Sequence, residues 1–247
     1  MLRNEEIKIL VEALPYLRDF KGKTVVVKYG GNAMLNDEIK NKVLQDIIFL
    51  KCAGLRPIVV HGGGPEITAQ MVKAGKKTQF VGGLRVTDEE SVGITEMALV
   101  GKINTDLVGR LNRLGGKAVG LNGKDDNLIQ ARKHLADVYE NGEVNLVDIG
   151  YVGTVEHINT ELLNVLLDND FIPVIAPTGV GATGETYNIN ADSVAGEIAG
   201  ALKAEKLLVL TDVKGIYADY RDESTFLSTM TFEKARNLSL KAISTAA

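Results

Sequence analysis

Short apolar runs alternate along the chain with longer segments of helical period. Ile7, Leu10, Val11, Ala13, Leu14 and Leu17 recur at helical spacing, so residues 4–20 read as an amphipathic helix. Pro15 falls inside that pattern and predicts a kink or an early end. Thr24–Val27 is a β-branched strand, residues 37–53 are helical by period, Pro57–Val60 is a second strand, and a helix follows over 65–74. Residues 88–114 read as two helices, Lys117–Gly120 as a strand, and 128–156 as a β-hairpin region with turn signals at Asn141-Gly142 and Gly150. A helix over 159–168, a strand at Phe171–Ala176, a helix over 190–203 and a strand at Lys206–Leu210 complete the reading. The repeated order of strand, glycine turn and helix predicts βαβ crossovers, and hence an α/β fold on a parallel sheet. No repeat or low-complexity linker separates the elements, so the lobes should pack together, dividing near Pro177.

Composition narrows the function. The 28 basic and 32 acidic residues leave a net charge of -4, which argues against a nucleic-acid partner but is compatible with a small anionic substrate. A single cysteine, Cys52, excludes an internal disulfide, and its apolar setting IIFLKCAGL predicts a buried structural thiol. His61, His134 and His157 are scattered and give no metal-ligand spacing. Arg3, Glu5, Glu6 and Lys8 are unlike a signal peptide or membrane anchor, and no apolar run approaches the length of a transmembrane helix. A soluble cytoplasmic protein with no membrane partner is the expectation.

In open α/β sheets ligands bind beyond the carboxyl ends of strands, where amide N–H groups and helix dipoles attract anions. Two turns fit. In VVVKYGGNA, Gly30 and Gly31 let the backbone approach a ligand, and Lys28 can aim its ammonium at the same place. In VVHGGGPE, three glycines precede a helix opened by Pro65. The plainer readings are a tight turn in each case and a solvated strand end for Lys28. No G-x-x-x-x-G-K-[ST] occurs, which excludes a P-loop. The G-x-G-x-x-G match at 179–184 is followed by extended residues 185–189, so it reads as a hairpin loop rather than a dinucleotide site. Asp192 falls in the first turn of the helix 190–203, where it can cap, yet capping does not explain Asn188, Asn190 and Asp192 crowded together. Thr211–Tyr217 again puts polar groups beyond a strand's carboxyl end.

VVVKYGGNA, VVHGGGPEI, GGLRVTD, YNINADSVAGEIA and LTDVKGIY, in this order and spacing, resemble the N-acetylglutamate kinases of the amino-acid kinase superfamily, from about residue 5 to about 236. The resemblance implies a three-layer αβα sandwich around a largely parallel sheet, the amino-acid kinase or carbamate kinase-like fold. It also implies an N-terminal helix extension (1–22), an acylated amino-acid lobe (23–177) and a nucleotide lobe (178–247). Carried over residue by residue, Lys28 contacts the transferring phosphoryl group and Asp192 orients the lysines. Gly63, Gly64, Arg85, Asn188 and Asn190 hold the acetylglutamate, with Arg85 gripping a carboxylate. Gly30 and Gly31 cradle phosphates, and Thr211, Asp212, Gly215 and Tyr217 border the nucleotide. The implied reaction is ATP-dependent phosphorylation of the side-chain carboxylate of N-acetyl-L-glutamate in arginine biosynthesis. Mg²⁺ is carried by the ATP rather than by a protein metal site. EALPYLRDF (12–20) resembles the extension of arginine-inhibited members, which implies a homodimer or homohexamer and an effector-site aromatic at Tyr16; a helix packed on its own domain is the other reading. A related amino-acid or carbamate kinase, and a non-catalytic binding subunit, are the alternative functions.

The tail departs from the family pattern. A Gly-Gly-Met-x-x-Lys segment, whose lysine stabilises the phosphoryl group, is expected after the Tyr217 region, but NLSLKAISTAA matches nothing there. One coding sequence for Ser239–Ala247, read from its third base, gives Val-Glu-Gly-Tyr-Ile-Asn-Gly-Gly, which resembles the run into that lysine. The expectation is a truncated or frameshifted C-terminus and low turnover by the literal chain; a natural divergent end is the alternative.

Overall fold

The computed structural model describes residues 4–34, 36–140, 143–211, 213–219 and 221–245. At its centre is a parallel sheet of five strands. In chain order its members are β1 (Thr24–Tyr29), β2 (Arg56–His61), β5 (Ala118–Leu121), β8 (Ile172–Ile175) and β11 (Lys206–Leu210), arranged in space as β11-β1-β2-β8-β5. The short hairpin β3 (Phe80–Val81) and β4 (Leu84–Arg85) stands apart from this sheet. A second β layer closes on itself from β6 (Ile129–Glu140), β7 (Glu143–Ile158), β9 (Thr178–Val180) and β10 (Thr186–Asn188). A small pair, β12 (Ile216–Tyr217) and β13 (Phe226–Leu227), lies near the C-terminus.

The helices are α1 (Asn4–Phe20), α2 (Asp37–Cys52), α3 (Gly64–Lys73), α4 (Glu89–Glu96), α5 (Thr105–Arg113), α6 (Glu161–Asp168), α7 (Ala191–Ala201) and α8 (Phe232–Thr245). The period of two along β1 and β2 divides them between the sheet's faces. Val26, Ile58 and Val60 pack with Leu163 and Leu167 of α6 and Val194, Ala195 and Ile198 of α7. Tyr29 and Val59 pack instead with Leu44 and Ile47 of α2 and Leu107 and Leu111 of α5. Helices therefore cover both faces, the three-layer αβα arrangement expected from the sequence.

Four local expectations need correction. Residues 89–113 run as one helix, because α4 passes into α5 through a π-helical stretch, Met97–Asn104, with no breaker between them. The α1 helix does not end early at Pro15 but runs on to Phe20; the carbonyl of Val11, which loses its intrahelical donor, belongs to a solvent-exposed residue that water can serve. Cys52 is exposed rather than buried, since the covered stripe of α2 runs through Leu44 and Ile47 and Cys52 lies well around the helix from it. The cap of α7 is Asn190, whose Oδ1 accepts from Asp192 N–H (2.8 Å) and Ser193 N–H (3.2 Å), so the Asp192 carboxylate in the first turn is not spent on capping. The hairpin reading of 179–184 holds, as β9 and β10 pair antiparallel. The Asn141-Gly142 turn lies outside the described residues.

Candidate active site

Parallel pairing brings the two glycine turns together. Tyr29 on β1 is registered opposite His61 on β2, so the turns leave the sheet at the same level. The N–H of Gly62 donates to the carbonyl of Tyr29 at 2.8 Å. A Cβ placed on Gly30 would lie 3.7 Å from Cα of Gly62 and 3.2 Å from Nζ of Lys28. Backbone from both turns and one ammonium thus share a small volume.

That volume is a cavity of about 280 Å³ at the carboxyl end of the sheet. Lys28, Gly30, Gly31, Gly62, Gly63, Gly64, Arg85, Asn188, Asn190 and Asp192 line it together with Phe80, Leu84, Leu99 and Ile189. Seven of the residues read from the glycine and Asn-x-Asn-Ala-Asp motifs, plus Lys28 and Arg85, therefore converge on one site although they span 164 positions of sequence from Lys28 to Asp192.

Lys28 shares a sheet face with Val26, and α7 lies across that face. The ammonium consequently meets Asp192 in the first turn of α7, Nζ to Oδ1 3.1 Å. The lysine side chain is 12 % exposed and the aspartate 56 %. An ion pair with one open member adds little to stability, but it fixes the direction of the ammonium.

Arg85 ends β4 and is 8 % exposed. Its Nη2 donates to the Gly64 carbonyl (3.1 Å) and to Thr68 Oγ1 (2.8 Å), and its guanidinium lies 4.8 Å from the centre of the Phe80 ring. Nη1 is buried with no acceptor. Burial pulls the Arg85 pKa down from its ordinary value, yet an arginine stays charged. A buried cation with an open donor, in a cavity with a lysine and glycine amides, is a site for an anion.

Arg85 is aimed by its neighbours. Thr87 is fully buried; its Oγ1 donates to the Arg85 carbonyl (2.9 Å), its N–H to Ile149 O (2.9 Å), and its own carbonyl accepts from Tyr151 N–H (2.7 Å). Gly150 makes this possible, having φ +81° and Thr87 O where a Cβ would stand. Thr68, Phe80, Thr87 and Gly150 were missed as site-supporting residues, because their link to Arg85 is spatial rather than sequential. His61 was missed too, although its place directly before three glycines was a usable signal. It is completely buried, with Nδ1 2.9 Å from Gly62 O and Nε2 3.1 Å from Asn104 Nδ2.

Of the residues read as nucleotide neighbours, Thr211, Gly215 and Tyr217 are not among those that line the cavity. Lys28 is registered with Val209 and Tyr29 with Leu210, so Thr211 leaves β11 at the level of Gly30. Gly215 packs against Phe226, whose ring also meets Tyr217 edge-on at 5.5 Å. Asp212 lies outside the described residues. Tyr16 is on α1 and 69 % exposed, away from the cavity wall.

A family profile described as "Amino acid kinase family" matches residues 23–246, beyond residue 236 where the motif resemblance ends. The acetylglutamate kinase of Moorella thermoacetica is 54% identical over 226 residues, 92% of this chain and 76% of that protein. The acetylglutamate kinase of Methanocaldococcus jannaschii is 52% identical over 235 residues, covering 95% and 78%. Among solved structures, N-acetylglutamate synthase from Neisseria gonorrhoeae, complexed with coenzyme A and N-acetyl-glutamate, aligns with a TM-score of 0.77 at 28% identity, over 94% of this chain and about half (51%) of that one. Carbamate kinase from Giardia lamblia, bound to AMP-PNP, shares the fold with a TM-score of 0.63 at 17% identity over 89% of this chain and 82% of its own. The chain belongs to the amino acid kinase family and, within it, to the acetylglutamate kinases.

Proposed function

We propose that the chain transfers the γ-phosphoryl group of ATP to the side-chain carboxylate of N-acetyl-L-glutamate, forming an acyl phosphate and ADP in arginine biosynthesis. The observation that carries this reading is the open Nη1 of buried Arg85 in the same cavity as Lys28 and the two glycine turns. Arg85 takes the α-carboxylate, with Asn188 and Asn190 beside it, and leaves the side-chain carboxylate facing the glycine amides. That carboxylate is already ionised at neutral pH, so an oxygen attacks phosphorus without a general base. The P–O bond to ADP breaks as the new P–O bond forms, and the protein's task is alignment and charge neutralisation. Lys28, held by Asp192, meets the charge on the transferring group, and the amides of Gly30, Gly31, Gly63 and Gly64 share it. Among the described residues no cluster of three or more His, Cys, Asp or Glu is set to hold a metal. In this reading Mg²⁺ is carried by the nucleotide, where it would offset phosphate charge.

Residues 23–177 serve the acylated amino acid and 178–247 the nucleotide, whose base side runs along Thr211, Asp212, Gly215 and Tyr217. The α1 helix, where Ile9, Val11, Leu14 and Tyr16 are exposed, is the element for self-association and for a response to arginine. The reading carries a cytoplasmic location; no helix among the described residues is long and apolar enough to cross a membrane. Hydroxylamine trapping tests the reaction, because an acyl phosphate yields a hydroxamate. Formation dependent on both ATP and N-acetylglutamate is expected. Preference for carbamate or unacylated glutamate, or nucleotide and acetylglutamate binding with no hydroxamate, would overturn it.

A further inference from the structure

The mechanism above leaves the buried imidazole of His61 unused. His61 ends β2, directly before the glycine turn, and is fully enclosed. Its two nitrogens face chemically different partners. The Gly62 carbonyl, 2.9 Å from Nδ1, can only accept. The Asn104 Nδ2, 3.1 Å from Nε2, can only donate, and its second hydrogen goes to Val174 O at 2.8 Å, which fixes which end of the amide is the NH₂. The ring is therefore the neutral tautomer with its proton on Nδ1. Burial, the larger effect, lowers its pKa to about 4 against a smaller rise from the Gly62 bond, so the ring stays neutral in the physiological range.

The bond to Gly62 has a geometric consequence. A trans peptide is planar, and its C=O and N–H point in opposite directions. With the Gly62 carbonyl turned to the His61 ring, the N–H of Gly63 points away from it. Among the described residues that N–H has no protein acceptor, and Gly63 lines the cavity. The other side of Gly63 is closed: a Cβ there would lie 2.5 Å from Leu99 Cδ2 and 2.6 Å from Ile103 Cδ1. Asn104 reaches His61 from the end of the π-helical stretch, where the widened turn helps bring a polar side chain inward to 4 % exposure.

We propose that His61 and Asn104 are positioning residues that lock the Gly62–Gly63 peptide so that the Gly63 N–H is presented to the anionic reactants. The proposal rests on the kinase reading for the identity of those reactants, but not for the peptide orientation itself.

Two substitutions separate this from simple core filling. In His61→Asn, Nδ2 can occupy the place of the imidazole Nδ1 and keep the bond to Gly62 O, while leaving a void. His61→Leu fills the space and removes the donor. If His61 only fills the core, the leucine variant is at least as active as the asparagine one. If His61 orients the peptide, His61→Leu loses about 10²–10³-fold in kcat, as when one transition-state donor is lost, with smaller changes in KM. His61→Asn should then stay within about 10-fold of wild type despite a lower Tm. The kinase reading fails separately, as absence of acyl phosphate from the wild-type chain, and a spectroscopic arm decides the inference in that event. Long-range ¹H–¹⁵N spectra should show a neutral His61 protonated on Nδ1, and adding ATP should shift the Gly63 amide in wild type and His61→Asn but not in His61→Leu. A proton on Nε2, an equal Gly63 response in all three proteins, or a leucine variant as active as the asparagine one overturns the proposal.

Discussion

Arg85→Met removes the guanidinium while keeping most of its length, and it separates binding from stability at this site. In the free protein Arg85 makes two hydrogen bonds through Nη2, to Gly64 O and Thr68 Oγ1, and leaves Nη1 buried without an acceptor. Each bond from the cation contributes a net ~1.5–3 kcal/mol, while a buried donor with no partner costs ~1–3 kcal/mol and burial of the charge itself costs several kcal/mol more. Gly64 O also keeps its bond from Thr68 Oγ1 at 3.0 Å. The terms nearly cancel, so the ligand-free stability of Arg85→Met should lie within about 1.5 kcal/mol of wild type. Binding does not cancel. Losing the charge-assisted hydrogen bonds that Nη1 gives to a carboxylate costs about 3–4 kcal/mol, or 10²–10³-fold in affinity. Urea titrations with and without N-acetylglutamate read both effects. At a ligand concentration of 100 times the wild-type Kd, wild type should gain about 2.7 kcal/mol, and the variant under about 0.5 kcal/mol. A ligand-free loss above about 3 kcal/mol would make Arg85 chiefly a structural residue. A retained ligand-dependent gain would place the substrate carboxylate elsewhere.

Two further outcomes follow from the same geometry. Lys28→Met should lower kcat by about 10²–10³-fold with little change in Tm, since its partner Asp192 is largely open to solvent, and Asp192→Asn should lower kcat less; initial rates that fall further for Asp192→Asn than for Lys28→Met would give the aspartate a role beyond holding the ammonium. His61 should make stability fall with acid: its folded pKa of about 4 lies below the ordinary 6.5, so stability is full above about pH 6.5 and falls as pH drops toward 4, by roughly 3 kcal/mol, while the unfolded chain alone takes up the proton. Urea midpoints across that window in wild type and His61→Leu check it, and the variant should lack this part of the slope.

The strands and most helices were legible because their signals are local. β1 and β2 carry the apolar runs Val25–Val27 and Pro57–Val60 with glycines soon after, and α7 begins just after polar residues and is rich in Ala and Gly. Those signals also singled out Lys28, the two glycine turns and the crowded Asn188, Asn190 and Asp192, whereas Arg85 was named from the family resemblance of GGLRVTD. What escaped depends on contacts between distant segments. The single helix over 89–113 rests on the absence of a breaker, which composition alone did not distinguish from a short turn. The exposure of Cys52 depends on which stripe of α2 faces the sheet, and an apolar setting at a helix end does not fix that. The capping role passed from Asp192 to Asn190 because an extended backbone at Asn190, ψ 128°, puts its side chain under the first N–H groups. His61 read as one of three scattered histidines until Asn104, 43 positions away, supplied its second partner.

The central ion pair shows how little separates packing from chemistry here. Strand residues two apart share a face, so Lys28 must stand on the face that carries Val26. Val26 packs in the cluster that holds Val194, Ala195 and Ile198, which sets α7 across that face of β1. Residues three or four apart on α7 share its inward stripe, and Asp192 lies two and three positions ahead of Val194 and Ala195, in the turn that overhangs the carboxyl end of the strand. Once the apolar residues are buried, the ammonium and the carboxylate are therefore brought within reach of each other, and Nζ and Oδ1 stand 3.1 Å apart. A one-residue slip of β1 against its neighbours would turn Lys28 to the α2 side and send Tyr29 toward α7, losing the pair and the core together. The register that keeps Val26 dry is thus the same register that aims Lys28 at the cavity.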